Sequence, residues 1–80
     1  MKQTFDINRF DKSLFWDVNI SELDIERDYF YIIKRIILRG DKKDRDIMFA
    51  LYDDAKILSV VEQSIEISAS LKEVYQMALQ

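Results

Sequence analysis

Gly40 is the only glycine in the chain, and proline, cysteine and histidine are absent. Nothing on either side of Gly40 forbids helix, so the backbone can be helical almost throughout, with one built-in break. The same inventory removes chemistry. Without histidine or cysteine there is no Ser-His-Asp or Cys-His catalysis and no ordinary zinc site. A single glycine cannot build a phosphate-cradling loop. An enzyme made from carboxylates ranks last, because no pair of acids has a reason for shifted pKa values. The chain is therefore expected to be no enzyme and to carry no cofactor.

Eighty residues make one domain, with an expected radius of gyration of about 12 Å and about 60–65% of the unfolded surface buried. Such a domain is marginal alone and often leans on a partner. With 49% hydrophobic and 34% charged residues, the chain reads as folded rather than disordered. No apolar run approaches the roughly 18 residues of a membrane span, and the start of the chain shows no signal-peptide pattern. Together with the missing cysteines, this predicts a cytoplasmic protein without membrane contact.

Hydrophobic periodicity predicts an all-α fold: a compact bundle of four helices at about 24–39, 42–52, 54–64 and 69–79, with an N-terminal arm. The arm covers 1–12 and a single helical domain covers 13–80. Asp24 is placed as N-cap of the first helix and Gly40 as its left-handed C-cap. Ile25, Tyr29, Phe30, Ile32, Ile33, Ile36 and Ile37 fall on one face of about 160°, which makes this the central helix. Asp41, then Asp53 or Asp54, then Ser68 are placed as caps of the later helices. Their apolar stripes are Ile47, Met48, Leu51 and Tyr52; Ile57, Leu58, Val61 and Ile65; and Leu71, Val74, Tyr75, Ala78 and Leu79. Leu14, Phe15 and Trp16 are expected to dock on the body, since three large apolar groups are costly to leave in water. Thr4–Asn8 and Ser64–Ser68 alternate as short strands would, but loops are favoured at that length.

Charge is segregated. Five acids stand against one base from Asp17 to Asp28, and six bases against two acids from Lys34 to Arg45. Asp41, Asp44 and Asp46 lack the spacing and the glycine of a calcium loop, so they read as caps and dipole partners, not metal ligands. Arg39-Gly40-Asp41 spells an adhesion tripeptide, yet each residue already has a role at a helix boundary. On the polar side of the first helix, Tyr31 and Leu38 lie between Arg27, Lys34, Arg35 and Arg39. Aromatic and aliphatic anchors rimmed by arginine are the composition of a protein interface. Tyr31, Leu38, Arg35 and Arg39 are the candidate partner contacts. The competing reading has Phe10, Phe15 or Trp16 folding over the same patch. Lys34, Lys42, Lys43 and Arg45, with Arg35 and Arg39, could grip phosphate around Gly40. The following helix carries Asp53, Asp54 and Glu62 against Lys56, which makes it a poor reader of nucleic acid.

The motifs Leu14-Phe15-Trp16-Asp17-Val18, Leu23-Asp24, Leu38-Arg39-Gly40-Asp41, Leu51-Tyr52 and Val60-Val61, with Ser68 before a last amphipathic helix, resemble a family of small uncharacterised prokaryotic helical domains. That family opens with Phe-Trp-Asp and has Arg-Gly-Asp at its centre. The resemblance spans Leu14 to Leu79. It departs in the last helix, where Val74-Tyr75 stands in place of the family's Phe-Trp, and at Ala69, where lysine or proline is common. It implies a small partner protein of antitoxin-like association with a nucleotidyltransferase-type toxin. Residues and resemblance together predict a non-enzymatic protein-interaction module, antitoxin-like or regulatory. The alternative is a nucleic-acid-binding accessory domain using the basic corner at Gly40. A homodimer through the Tyr31–Leu38 face or through the last helix fits so small a core.

Overall fold

In the computed structural model, which describes residues 10, 12–16, 18 and 22–79, a short 3-10 turn at Lys12–Phe15 precedes four helices. These are α1 (Tyr29–Arg39), α2 (Lys42–Leu51), α3 (Asp54–Gln63) and α4 (Ala69–Leu79). No strand occurs among the described residues. Ser64–Ser68 is the turn between α3 and α4, while Thr4–Asn8 and most of the 1–12 arm lie outside the described residues. The radius of gyration is 12.3 Å. Among the described residues, no helix is long and apolar enough to cross a membrane.

Helix α1 is the centre. Ile32, Ile33, Ile36 and Ile37 are buried, and Tyr29, Phe30 and Ile25 pack at the edge of the same cluster. α2 and α3 both pack against α1, α4 packs on α3, and the 3-10 turn closes the other side of α1. Phe10, Leu14 and Phe15 enter the core from that side, and Met48, Ile57, Val60, Val61 and Ile67 enter from the helices and the last connection. Trp16 does not follow its neighbours inward: it is 69% exposed.

The caps explain why the boundaries fall where they do. Asp41 accepts from the Asp44 N–H at 3.1 Å, and the Asp44 carboxylate accepts from the Asp41 N–H at 3.3 Å, a reciprocal box that starts α2. The Asp44 N–H bond, first among its causes, holds the Asp41 carboxyl below its ordinary range. Asp53 caps α3 through the Lys56 N–H at 2.8 Å, and Ser68 caps α4 through the Leu71 N–H at 3.2 Å.

The first helix is shorter than periodicity predicts. It starts at Tyr29, not Asp24, and residues 25–28 form a hydrogen-bonded turn. One oxygen of Asp24 accepts from the N–H groups of both Glu26 and Arg27 at 2.9 Å. Asp28 reaches back to the Asp24 N–H at 2.9 Å and holds the Arg27 guanidinium at 2.8 Å. Its carboxylate is thereby turned away from the start of α1, which has no side-chain cap bond. Local side-chain bonds of this kind compete with helix propagation. They also lower both acids: Asp24 through the Arg27 and then the Glu26 N–H, Asp28 through the Arg27 side chain and then the Asp24 N–H.

Gly40 also differs from expectation. Its φ of −73° and ψ of 157° are ordinary extended backbone, not left-handed. What excludes a side chain is contact. A Cβ there would sit 2.7 Å from the Ile36 carbonyl oxygen, 3.0 Å from Ile36 Cγ2 and 3.1 Å from Asp44 Cβ. The corner is tight because the Gly40 N–H donates to that same carbonyl at 2.7 Å while Asp44 is buried in the cap of α2.

Tyr52 ties the turn at 25–28 to the end of α2. Its hydroxyl donates to the Ile25 carbonyl at 2.8 Å, and its ring is buried. Burial, then the charges of Asp24 and Asp28, push the phenol above its ordinary range, so the donor stays protonated. Tyr52→Phe is expected to cost about 1 kcal/mol, the net worth of one such bond. Urea unfolding checks it: the midpoint should fall with the slope unchanged, and an unaltered midpoint would show the bond contributes nothing.

Candidate interaction surface

Helical geometry sends Tyr31, Lys34, Arg35 and Leu38 to the side of α1 away from the buried isoleucines and leaves Arg39 at the flank, one turn beyond Ile36. The side is not uniform. At its N-terminal half, Phe15 from the 3-10 turn lies against the half-buried Tyr31, with ring centroids 6.1 Å apart and planes tilted by 40°. Phe10 meets Phe15 edge-on at 6.2 Å. The Arg35 guanidinium sits over the Tyr31 ring at 5.3 Å, one turn along the helix. The N-terminal segment thus covers part of Tyr31, as the competing sequence reading holds. At the C-terminal half the surface is open: Leu38 is 37% exposed, and Arg39 is exposed. Trp16, next in the chain after Phe15, is the most exposed aromatic of the described residues.

The basic corner is divided by intramolecular bonds. Lys34 reaches Glu66 in the α3–α4 connection at 3.3 Å. Lys42 pairs with Asp46 at 3.0 Å along α2. Arg45 donates to the Gly40 carbonyl at 3.0 Å, closing the end of α1 against α2. Lys43 and Arg39 are exposed. Three of the candidate cations, Lys34, Lys42 and Arg45, are thus engaged within the molecule. Among the described residues no group of three acidic side chains is placed to hold a metal ion.

A second surface escapes the periodicity argument. Along α4, Tyr75 is buried, but Val74 is 59% and Met77 78% exposed, and Ala78 is exposed too. The predicted α4 stripe is thus wider than the part α3 covers. Likewise Ile65, assigned to the α3 stripe, lies beyond the end of that helix and is almost fully exposed, while Ile67 is buried. On α2, Phe49 is 39% exposed and stands 6.3 Å from Tyr75, ring to ring. Between them runs a groove of about 300 Å³.

No curated protein and no solved structure matches the chain. A family of unknown function, DUF6922, matches residues 10–61. The matched stretch holds Phe15-Trp16-Asp17, all of α1, Arg39-Gly40-Asp41 and α2, and ends in α3, so α4 lies beyond it. By that match over more than half its length, the chain belongs to the DUF6922 family.

Proposed function

We propose that this chain is a non-enzymatic protein-interaction module that receives its partner on the outer face of α1. The observation that carries the reading is the arrangement around Tyr31. The ring of Phe15 and the guanidinium of Arg35 hold Tyr31 in place, while Trp16, Leu38 and Arg39 stay exposed. Tryptophan, tyrosine and arginine are the residues most enriched where binding energy concentrates, and a pre-ordered stack loses little side-chain entropy on docking. A composition without histidine or cysteine supports a binding role over a catalytic one. The finer form of the proposal is a regulatory partner of antitoxin type, on the strength of the sequence resemblance. The intramolecular bonds of Lys34, Lys42 and Arg45 make nucleic acid the weaker reading.

The test immobilises the full chain and measures what a native lysate leaves on it. The double variant Trp16→Ala with Arg39→Glu is expected to lower recovery of the bound protein more than tenfold, as loss of an interface anchor does. Both residues are exposed, so the melting temperature should move by only a few degrees. Unchanged recovery contradicts the proposal. Retardation of duplex or single strands, weakening linearly in log–log form as salt rises, would favour the nucleic-acid reading instead.

A further inference from the structure

The groove between α2 and α4 is an apolar surface that the fold leaves uncovered. Ile37, Arg45 and Phe49 wall one side, and Leu71, Val74 and Tyr75 the other. Scattered exposed apolar groups are ordinary on a small protein. Here, however, Phe49 and Val74 share one groove, and Met77 extends the same side of α4 one turn further.

Charge is what selects the occupant. On the α2 wall stands Arg45, fixed by its bond to the Gly40 carbonyl. On the exposed edge of α4, directly before Val74, stands Glu73. A two-fold symmetric interface brings one surface patch against its own copy, so it must be complementary to itself. A surface with a cation in the groove on one flank of Val74 and a carboxylate on the opposite flank, outside the groove lining, meets that condition. When two copies cross at Val74, Glu73 of each approaches Arg45 of the other. The rest of α4 adds only Lys72 to the charge count, so the two helices meet without the repulsion expected from a net −3 chain. Ser70, Val74 and Ala78 recur every four residues along the exposed side, a ridge with small ends that lets a second helix lie close.

We propose that this chain self-associates as a two-fold dimer through the α2–α4 groove, with α4 packed on α4 and Glu73 facing Arg45 across the interface. An 11-residue helix is about 16 Å long, which limits the contact to the small end of specific interfaces, so the dimer forms at micromolar concentration. The surface is separate from the outer face of α1, so dimer formation and partner docking can fail independently.

Sedimentation equilibrium of the full chain from about 1 to 200 μM decides it, spanning the range in which so small an interface should associate. The wild type is expected to move from its 9.6 kDa chain mass towards twice that value. Val74→Asp with Met77→Lys should hold it at the chain mass with the helical circular dichroism unchanged, since both side chains are exposed. Glu73→Arg sets like charges against each other across the two-fold axis and should weaken the dimer at least fivefold at low salt. The proposal is overturned by a wild type that stays monomeric throughout, by a dimer that survives Val74→Asp with Met77→Lys, or by a dimer indifferent to Glu73→Arg.

Discussion

Ile36→Ala is expected to remove about 3 kcal/mol of stability and to lower the melting temperature by roughly 12–24 °C. Ile36 is fully buried in the middle of the central helix, between Ile32 and Ile33 on one side and the Gly40 corner on the other. Truncation removes three carbons from a fully buried site on a helix that α2, α3 and the 3-10 turn all pack against, so collapse around the void is hindered. An 80-residue domain has only about 4–12 kcal/mol in total, so the loss is a large share of it. Ile36→Val should cost about 1 kcal/mol, and the pair separates cavity formation from a general intolerance of change. Thermal and urea unfolding both read it. A loss below about 1 kcal/mol for the alanine variant would mean the isoleucine side of α1 is not the core.

Gly40→Ala is expected to cost about 2 kcal/mol, or roughly 8–16 °C in melting temperature, because the new methyl group has no room. Its nearest neighbour would be the Ile36 carbonyl oxygen, which is backbone and already accepts the Gly40 N–H. Alanine gains a few tenths of a kcal/mol or more from a stiffer unfolded chain, and the clash outweighs that gain. Two explanations for this glycine make opposite forecasts at asparagine. A left-handed cap tolerates asparagine better than alanine. Crowding against Ile36 and Asp44 makes asparagine at least as damaging as alanine. With φ at −73°, crowding is the operative cause, and an asparagine variant more stable than the alanine variant would refute it.

These two residues show what sequence reading can and cannot reach. The isoleucine face of α1 was legible because burial of a helix in a bundle leaves a 3.6-residue trace that needs no knowledge of the neighbours. The caps at Asp41, Asp53 and Ser68 were legible because each bonds within three residues of itself. The start of α1 was not. Asp24 accepts from the Glu26 and Arg27 N–H groups as an N-cap does, yet what it caps is the turn at 25–28, and the regular helix begins only at Tyr29.

The candidate surfaces divide along the same line. Periodicity reports which residues are apolar together, not whether another element arrives to cover them. Val74, Ala78 and Ile65 therefore read as core, though each is exposed, and the exposed Phe49 stands outside every predicted stripe. The size of Trp16 predicts docking, whereas the 3-10 turn seats only Leu14 and Phe15. For Tyr31 the sequence left two outcomes open, and the choice depends on a contact with Phe15, sixteen residues earlier in the chain. Such contacts are set by how the turn meets the helix, and no local pattern encodes them. The exposed apolar side of α4 falls outside the family match.

In the proposed function α1 divides its labour by face, with the isoleucine side holding the molecule together and the other side receiving a partner. Leu38→Ser with Arg39→Glu, set beside Ile36→Ala, tests it directly through one melting curve each and one partner-capture measurement. The outer-face variant is predicted to melt within a few degrees of the wild type and to lose its partner, while the isoleucine variant melts far lower. An outer-face variant that unfolds as readily as Ile36→Ala, or one that keeps its full partner recovery, would contradict the account.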